Sequence, residues 1–129
     1  MRVLVETHGH DRVRIERAVA GPADVESLLN EWEGQEGTTL SFGLDAGSEE
    51  VEVIVATTAA GCLLTRYHEG DFQQLVGAPE ASGEILLTLG GQPTPTPRRW
   101  LLRRSDVQRA LTSFVRDSVF PDDFSWDVT

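Results

Sequence analysis

The sequence lacks long apolar runs and carries a single cysteine. Its most apolar stretch, residues 53–64, is interrupted by Thr57, Thr58 and Gly61, whereas a membrane-spanning helix needs about 20 consecutive apolar residues. Since Cys62 is the only cysteine, no internal disulfide can form, which is typical of a protein in a reducing cytosol. We therefore expect a cytoplasmic protein that makes no contact with a membrane.

Lysine is absent as well, so 11 arginines alone oppose 21 aspartates and glutamates, and the formal net charge is −10. Nucleic-acid phosphates bind to basic surfaces, so this charge argues against a nucleic-acid partner. The imbalance is concentrated in residues 21–97, which contain 13 acids and only Arg66 as a basic residue. Two interpretations stay open: a solvated face that keeps the protein in solution, or a surface complementary to a basic partner.

The first third of the chain has the pattern of a hairpin, a helix and a strand. Apolar and polar residues alternate around residues 3–5 and again around 13–15, which predicts two paired strands. Pro22 suits a first helical position, and a strand over 38–44 follows the helix. A helix over 22–33 places one apolar stripe on a single face, formed by Val25, Leu28, Leu29 and Trp32.

The middle of the chain has the pattern of a second hairpin. We predict that residues 50–57 and 61–68 form its two strands and that 58–60 form its loop. This loop length sets a register in which Glu52 lies opposite Arg66. On the other face the same register pairs Val51 with Tyr67, Val53 with Thr65 and Val55 with Leu63.

The last part of the chain mixes irregular and regular segments. We expect a polar irregular stretch over 71–82, a strand over 83–89 and a surface loop over 90–97, where glycines and alternating prolines oppose regular structure. A helix over 105–118 begins with a capping box formed by its first residue, Ser105, and by Gln108. Its predicted apolar face consists of Val107, Ala110, Leu111, Phe114 and Val115.

A final strand places Trp126 in the core, because this residue lies between the polar Ser125 and Asp127. The order of elements lacks the regular alternation of strands and helices that marks a parallel doubly wound sheet. We therefore predict an α+β fold in a single domain, residues 1–129. It comprises a mainly antiparallel sheet of about six to seven strands with two helices packed on one face.

Residues 8–11, with the sequence His-Gly-His-Asp, are the strongest candidate for a metal site, because histidines and carboxylates are zinc ligands. A zinc site needs a further ligand. The spacing of His68 and Cys62 from this segment supports neither residue as that ligand. We interpret the segment as an exposed turn and Cys62 as a small buried hydrophobe. The glycines at 90–91 are followed by neither a lysine nor a helix, so they form no phosphate loop. We predict no enzyme activity, no metal and no cofactor.

Several segments, taken together, resemble one protein family. They are the glycine-led strand 61–67, the strand 83–90 with its closing glycine, the helix from 105 to 114 and the proline with a following tryptophan strand at 121–126. On these segments, residues 12–128 are similar to immunity protein family one of bacterial polymorphic toxin systems, which are often found beside deaminase-type toxins. The resemblance implies an α+β fold and a protein that neutralises a toxin by binding it.

The favoured hypothesis is an immunity protein that blocks the active site of a cognate toxin, a deaminase or a nuclease with a basic surface. Enzymes that act on nucleic acid have basic clefts, and an acidic surface imitates phosphates. The alternative is a non-catalytic interaction or regulatory module with another partner. Strand pairing is expected to bring the acids near residues 50–52 and 69–71 together at one end of the sheet. The candidate toxin-binding residues are Glu49, Glu50, Glu52, Glu69, Asp71, Glu80, Glu84 and Trp100.

Overall fold

The computed structural model describes residues 1–7, 14–32, 37–43, 52–89 and 91–129. Within this part of the chain there are two α-helices and nine strands. The helices are α1 (Pro22–Trp32) and α2 (Arg104–Asp117). The strands are β1 (Arg2–Thr7), β2 (Arg14–Ala18), β3 (Thr38–Gly43), β4 (Val53–Thr57), β5 (Cys62–His68), β6 (Asp71–Leu75), β7 (Glu84–Leu89), β8 (Gln92–Pro97) and β9 (Trp126–Val128).

Seven strands form one antiparallel sheet in the order β2-β1-β3-β4-β5-β6-β9, and β7 pairs with β8 as a separate ribbon. The apolar stripes of both helices share one core with alternate residues of the central strands, so the helices pack on the same face of the sheet. This confirms the predicted α+β architecture. The sheet residues in this core are Val3, Val5, Leu40, Phe42, Val53, Val55, Cys62, Leu64 and Leu75.

The residues that alternate with these core residues lie on the opposite face, which we call the open face. Because all the pairings are antiparallel and in register, the open-face residues form rows that cross the sheet. The central row is uncharged over five strands and half-buried throughout. It consists of Leu4, Ser41, Ile54, Thr65 and Gln74.

Helix α1 begins at Pro22 as predicted, and its predicted stripe is buried. The carboxylate of Asp24 accepts a hydrogen bond of 2.8 Å from the backbone N–H of Ala20. This contact satisfies a backbone donor next to the helix N-terminus, where negative charge is favourable. Neither α1 nor α2 is long and apolar enough to cross a membrane, and the same is true of every helix in the described residues.

Helix α2 begins one residue earlier than predicted, at Arg104, and the predicted capping box of Ser105 and Gln108 is wrong. The carboxylate of Asp106 instead accepts a hydrogen bond of 3.2 Å from the backbone N–H of Arg103. Asp106 is the third residue of the helix, the position from which a side chain reaches back to the N-cap. A carboxylate at this position therefore caps α2.

The hairpin of β4 and β5 turns through two residues, not the predicted three. Thr58 and Gly61 close the turn, since the N–H of Thr58 donates to the carbonyl of Gly61 at 2.8 Å and the reverse bond measures 3.4 Å. The hydroxyl of Thr58 also donates to the same carbonyl, at 2.8 Å. Ala59 and Ala60 alone therefore form the loop.

This shorter loop shifts the strand register by one residue from the predicted one. Arg66 lies opposite Val53, and Val55 lies opposite Leu64. Glu52 lies opposite Tyr67, whose backbone N–H donates to the carbonyl of Glu52 at 3.0 Å. The predicted pairing of Glu52 with Arg66 is therefore wrong, and these two side chains lie on opposite faces of the sheet.

The predicted irregular stretch over 71–82 is wrong in its first part, because residues 71–75 form β6 between β5 and β9. Polar side chains of β6 form hydrogen bonds with side chains of β5. The amide nitrogen of Gln74 donates to the hydroxyl of Thr65 at 2.6 Å. The guanidinium of Arg66 donates to the amide oxygen of Gln73 at 2.8 Å.

The predicted loop over 90–97 is wrong for residues 92–97, which form β8 and pair with β7. Prolines 93, 95 and 97 alternate with Thr94 and Thr96 along the strand. In an antiparallel pair only alternate residues exchange hydrogen bonds with a given neighbour. Since β7 is the neighbour of β8 in this ribbon, the missing N–H of each proline falls on the unpaired side, where proline is tolerated.

Trp126 lies in a final strand, as predicted, but it is half-buried and packs against the core instead of lying within it. Its ring contacts Phe120 with the centroids 5.0 Å apart, and Phe120 stacks on Phe114 at 5.2 Å. Strand β9 is the edge of the sheet, where a side chain has neighbours on one flank only. The edge position explains the remaining exposure of the indole.

Candidate functional site

The turn between β5 and β6 is tight and lies at one end of the sheet. His68 pairs with Asp71, so the turn consists of two residues. These two, Glu69 and Gly70, have φ angles of 50° and 87°, as in the type I′ turns that suit hairpins. The side chain of Glu69 projects from the tip and is 85% exposed.

Three of the predicted acidic residues meet at this turn. Asp71 begins β6 beside the turn and pairs with His68. Glu52 lies opposite Tyr67, the residue before His68 in β5. We call Glu52, Glu69 and Asp71 the acidic end of the sheet. Glu49 and Glu50, also predicted to contribute, lie outside the described residues.

Glu80 and Glu84 do not lie at the acidic end. Strand β6 runs away from the turn, and the backbone N–H groups of Gly77 and Ala78 then donate to the carbonyl of Arg99 at 2.8 and 3.1 Å. This region adjoins the start of β5, at the opposite end of the sheet from the turn. Both glutamates are exposed there.

The charges of the acidic end have few partners in the fold. Among the described residues, no arginine forms an ion pair with Glu52 or Asp71, and the contact of His68 with Glu69 measures 3.8 Å. The adjacent Arg66 points to the helix side of the sheet, where its guanidinium carbon lies 3.8 Å from the centroid of the Trp126 ring. Adjacent like charges repel one another, so a cationic partner would relieve this repulsion.

Two exposed aromatic side chains lie beside the acidic end, on the open face. Tyr67 is 51% exposed and Phe72 is 54% exposed. They face each other across β5 and β6 in an edge-to-face contact, with ring centroids 5.3 Å apart. The predicted register placed Tyr67 on the opposite face and is wrong, and Phe72 was not among the predicted site residues. The signal available in the sequence was Glu69-Gly70, because a glycine suits the second position of a two-residue hairpin turn.

Trp100, the remaining predicted site residue, is half-buried. Its indole N–H donates to the carboxylate of Asp127 at 2.7 Å, and the Nε of Arg99 lies 2.9 Å from the same carboxylate. Asp127 pairs with Gln74 on the open face. Trp100 therefore borders the β9 edge of that face, and its hydrogen bond to Asp127 holds the indole in place.

Two clefts in the described part of the chain were considered as small-molecule sites. A cleft beside the acidic end has a volume of about 220 Å³, which is below the usual range for ligand pockets. A groove of about 650 Å³ along α2 has no histidine, cysteine or carboxylate in its lining. No group of three or more histidines, cysteines and acids suited to a metal ion occurs among the described residues. Residues 8–11 lie outside them.

Comparison with models of protein families matches residues 14–127 to the family described as Immunity protein Imm1. No curated protein and no solved structure matches the chain. The family match covers the whole span from β2 to β9, including the acidic end and the aromatic pair.

Proposed function

The chain belongs to the Imm1 family of immunity proteins, and on that premise we propose that it neutralises a cognate toxin by binding over the toxin's active site. The observation that supports this mode of action is the acidic end, formed by Glu52, Glu69 and Asp71. These three residues lie together at one end of the sheet, and no arginine in the described part of the chain forms an ion pair with Glu52 or Asp71. The proposal locates the chain in the cytoplasm.

The charge also favours a class of toxin, because the chain has a formal net charge of −10. A deaminase or nuclease binds phosphates, so its substrate cleft carries arginine and lysine side chains. Carboxylates that occupy such a cleft gain charge-assisted hydrogen bonds and exclude the substrate. We therefore propose a toxin that acts on nucleic acid through a basic cleft. The remaining residues of the candidate set, which would extend the proposed interface, are Glu49, Glu50, Glu80, Glu84 and Trp100.

A charge-reversal experiment tests the acidic end. The variant Glu52→Arg, Glu69→Arg, Asp71→Arg should fail to protect cells that express the cognate toxin. The fold should persist, because Glu69 and Asp71 are exposed and Glu52 contacts its neighbours through its backbone. Melting temperature and circular dichroism of the purified variant check that it does.

A matched control reverses three other exposed acids, Glu16, Glu26 and Asp122, and so changes the net charge by the same amount. It should protect as the unmodified chain does. A third variant, Glu80→Arg with Glu84→Arg, tests whether the interface reaches the opposite end of the sheet. Full protection by the acidic-end variant would mean that the toxin is bound elsewhere. Loss of protection by all three variants alike would point to net charge and against a defined site.

Salt provides an independent measurement on the unmodified chain. Complementary charges mainly accelerate association, and at about 0.5 M salt they are screened beyond a few ångströms. The association rate with the toxin should therefore fall as salt increases, while the dissociation rate changes less. A rate that does not depend on salt would contradict a charge-steered interface.

A further inference from the structure

The aromatic pair Tyr67 and Phe72 is exposed because of the strand register. In β5, Leu64 and Arg66 face the helices, so the residue that follows them faces away from the core. Phe72 lies opposite Tyr67 in β6 and shares that face. Each ring leaves about half of its surface to solvent, at 51% and 54%. Two adjacent large rings with this exposure are typical of a surface that a partner covers.

The pair is also held in place before any partner arrives. The two strands are joined by the two-residue turn Glu69-Gly70 and are flanked by β4 and β9. The backbone carbonyl of Phe72 accepts hydrogen bonds from the N–H and the hydroxyl of Thr129, at 3.1 and 3.2 Å. The edge-to-face contact fixes the rings against each other. Little conformational entropy would be lost when they are buried, which favours affinity.

The residues around the pair have the composition that is typical of a protein–protein interface. An acid borders it on the open face, since Glu52 lies directly opposite Tyr67, and Glu69 lies at the tip of the adjoining turn. Behind it runs the uncharged central row of the open face, which extends to Leu4. Interfaces typically combine a few aromatic residues at the centre with polar residues at the rim. The open face provides both, together with uncharged area for further contact.

We infer that Tyr67 and Phe72 form the apolar centre of the toxin-binding surface and that the toxin covers them with arginine or lysine side chains. This inference rests on the proposed function. Ring faces attract guanidinium and ammonium groups, and the carboxylate of Glu52, on the same face of the sheet, is placed to accept their hydrogen bonds. A cationic side chain would thus meet aromatic and acidic groups together, and its aliphatic stem would cover the rings.

Binding of the purified cognate toxin, measured by titration calorimetry, tests the inference. Tyr67→Ser with Phe72→Ser should raise the Kd by about 100-fold or more, since aromatic residues at the centre of an interface dominate its affinity. Tyr67→Phe keeps the ring and should change the Kd by less than about 3-fold. The single variant Leu86→Ser is the control, because Leu86 is 67% exposed but belongs to the β7–β8 ribbon. It should bind as the unmodified chain does.

A second variant keeps the test decisive if the serine variant unfolds. Tyr67→Leu with Phe72→Leu retains apolar side chains in the strands and removes the ring faces, and we expect a Kd about 10-fold higher. Unchanged affinity in a folded double variant, while the unmodified chain binds, would overturn the aromatic centre and leave the proposed function standing. Failure of the unmodified chain to bind the toxin would overturn the proposed function and the inference together.

Discussion

The guanidinium of Arg66 is stacked on the indole of Trp126, with its central carbon 3.8 Å from the ring centroid. Its Nε donates to the amide oxygen of Gln73 at 2.8 Å. Burial lowers the pKa of Arg66 and the charge of Glu69 raises it, yet the side chain remains a cation. The only arginine of residues 21–97 is therefore committed to the helix side of the sheet, where it ties β5 to the edge strand β9.

The Arg66 contact predicts a measurable contribution to stability. Arg66→Met keeps an unbranched apolar stem but removes the guanidinium and its hydrogen bond, and it should lower the free energy of unfolding by about 1 to 2 kcal/mol. Urea unfolding measures this difference. Arg98→Met, at an exposed arginine, is the control and should change stability by less than about 0.5 kcal/mol. Equal effects of the two variants would show that the stacking contributes nothing.

The backbone at Gly77 leaves no room for a side chain. A Cβ at this position would lie 2.5 Å from the carbonyl oxygen of Leu101 and 2.9 Å from a methyl group of Leu102. Gly77→Ala should therefore destabilise the protein by about 1 to 3 kcal/mol, the usual effect of overpacking. Gly21→Ala meets no atom within 4 Å and should leave the melting temperature almost unchanged. A neutral Gly77→Ala would mean that the 99–102 segment moves away from β6 at little cost.

The pair of Arg17 and Glu31 predicts a pH dependence. Its hydrogen bond of 2.9 Å lowers the pKa of Glu31, and burial opposes this effect only in part. The stabilisation is therefore present above the ordinary glutamate pKa of about 4.3 and is lost as the pH falls through the lower folded value. Because the pair is exposed, Glu31→Gln should cost less than about 1 kcal/mol at pH 7.

Urea unfolding of the unmodified chain and of Glu31→Gln, at pH 7 and in steps towards acid, measures that dependence. The stability difference should shrink as Glu31 becomes protonated. Glu26→Gln, on the exposed side of the same helix, is the matched control for the loss of one charge. A difference that grows towards acid would contradict the assigned sign.

The contact of Trp100 with Asp127 predicts coupled effects. Trp100→Phe removes the indole N–H that donates at 2.7 Å, and it should lower the free energy of unfolding by about 1 kcal/mol. Asp127→Asn weakens the same contact and the ion pair with Arg99. The double variant should therefore lose less stability than the sum of the single variants. Strict additivity would show that the two side chains act independently.

The helices and the single-face packing could be predicted from the sequence because a period of 3.6 residues is unambiguous over eleven or more residues. Helix α1 has a single apolar stripe, so only one of its faces could pack against the sheet. The stripe consists of Val25, Leu28, Leu29 and Trp32. The sequence contained no comparable signal for the strand register. Either a two-residue or a three-residue loop suits residues 58–61, and a shift of one residue reverses the face of every side chain in the strand.

The same shift explains why the sequence indicated the acids of the candidate site but not its aromatic residues. Acidic residues are visible from charge alone, whatever face they occupy. The exposure of Tyr67 depends on the register, and that of Phe72 depends on recognising β6 as a strand. The prolines of β8 led to the prediction of a loop where a strand forms. Proline is unfavourable in a strand only at positions where the backbone N–H must donate to a neighbouring strand.

Inhibition of the toxin in solution tests the central claim, that this chain neutralises a toxin by binding over its active site. The activity of the purified cognate toxin on its nucleic-acid substrate should be measured against increasing amounts of the purified chain. We expect the activity to fall to background near one equivalent of chain and to stay high with an equal amount of the acidic-end variant. Full toxin activity in the presence of a large excess of the unmodified chain would contradict the account.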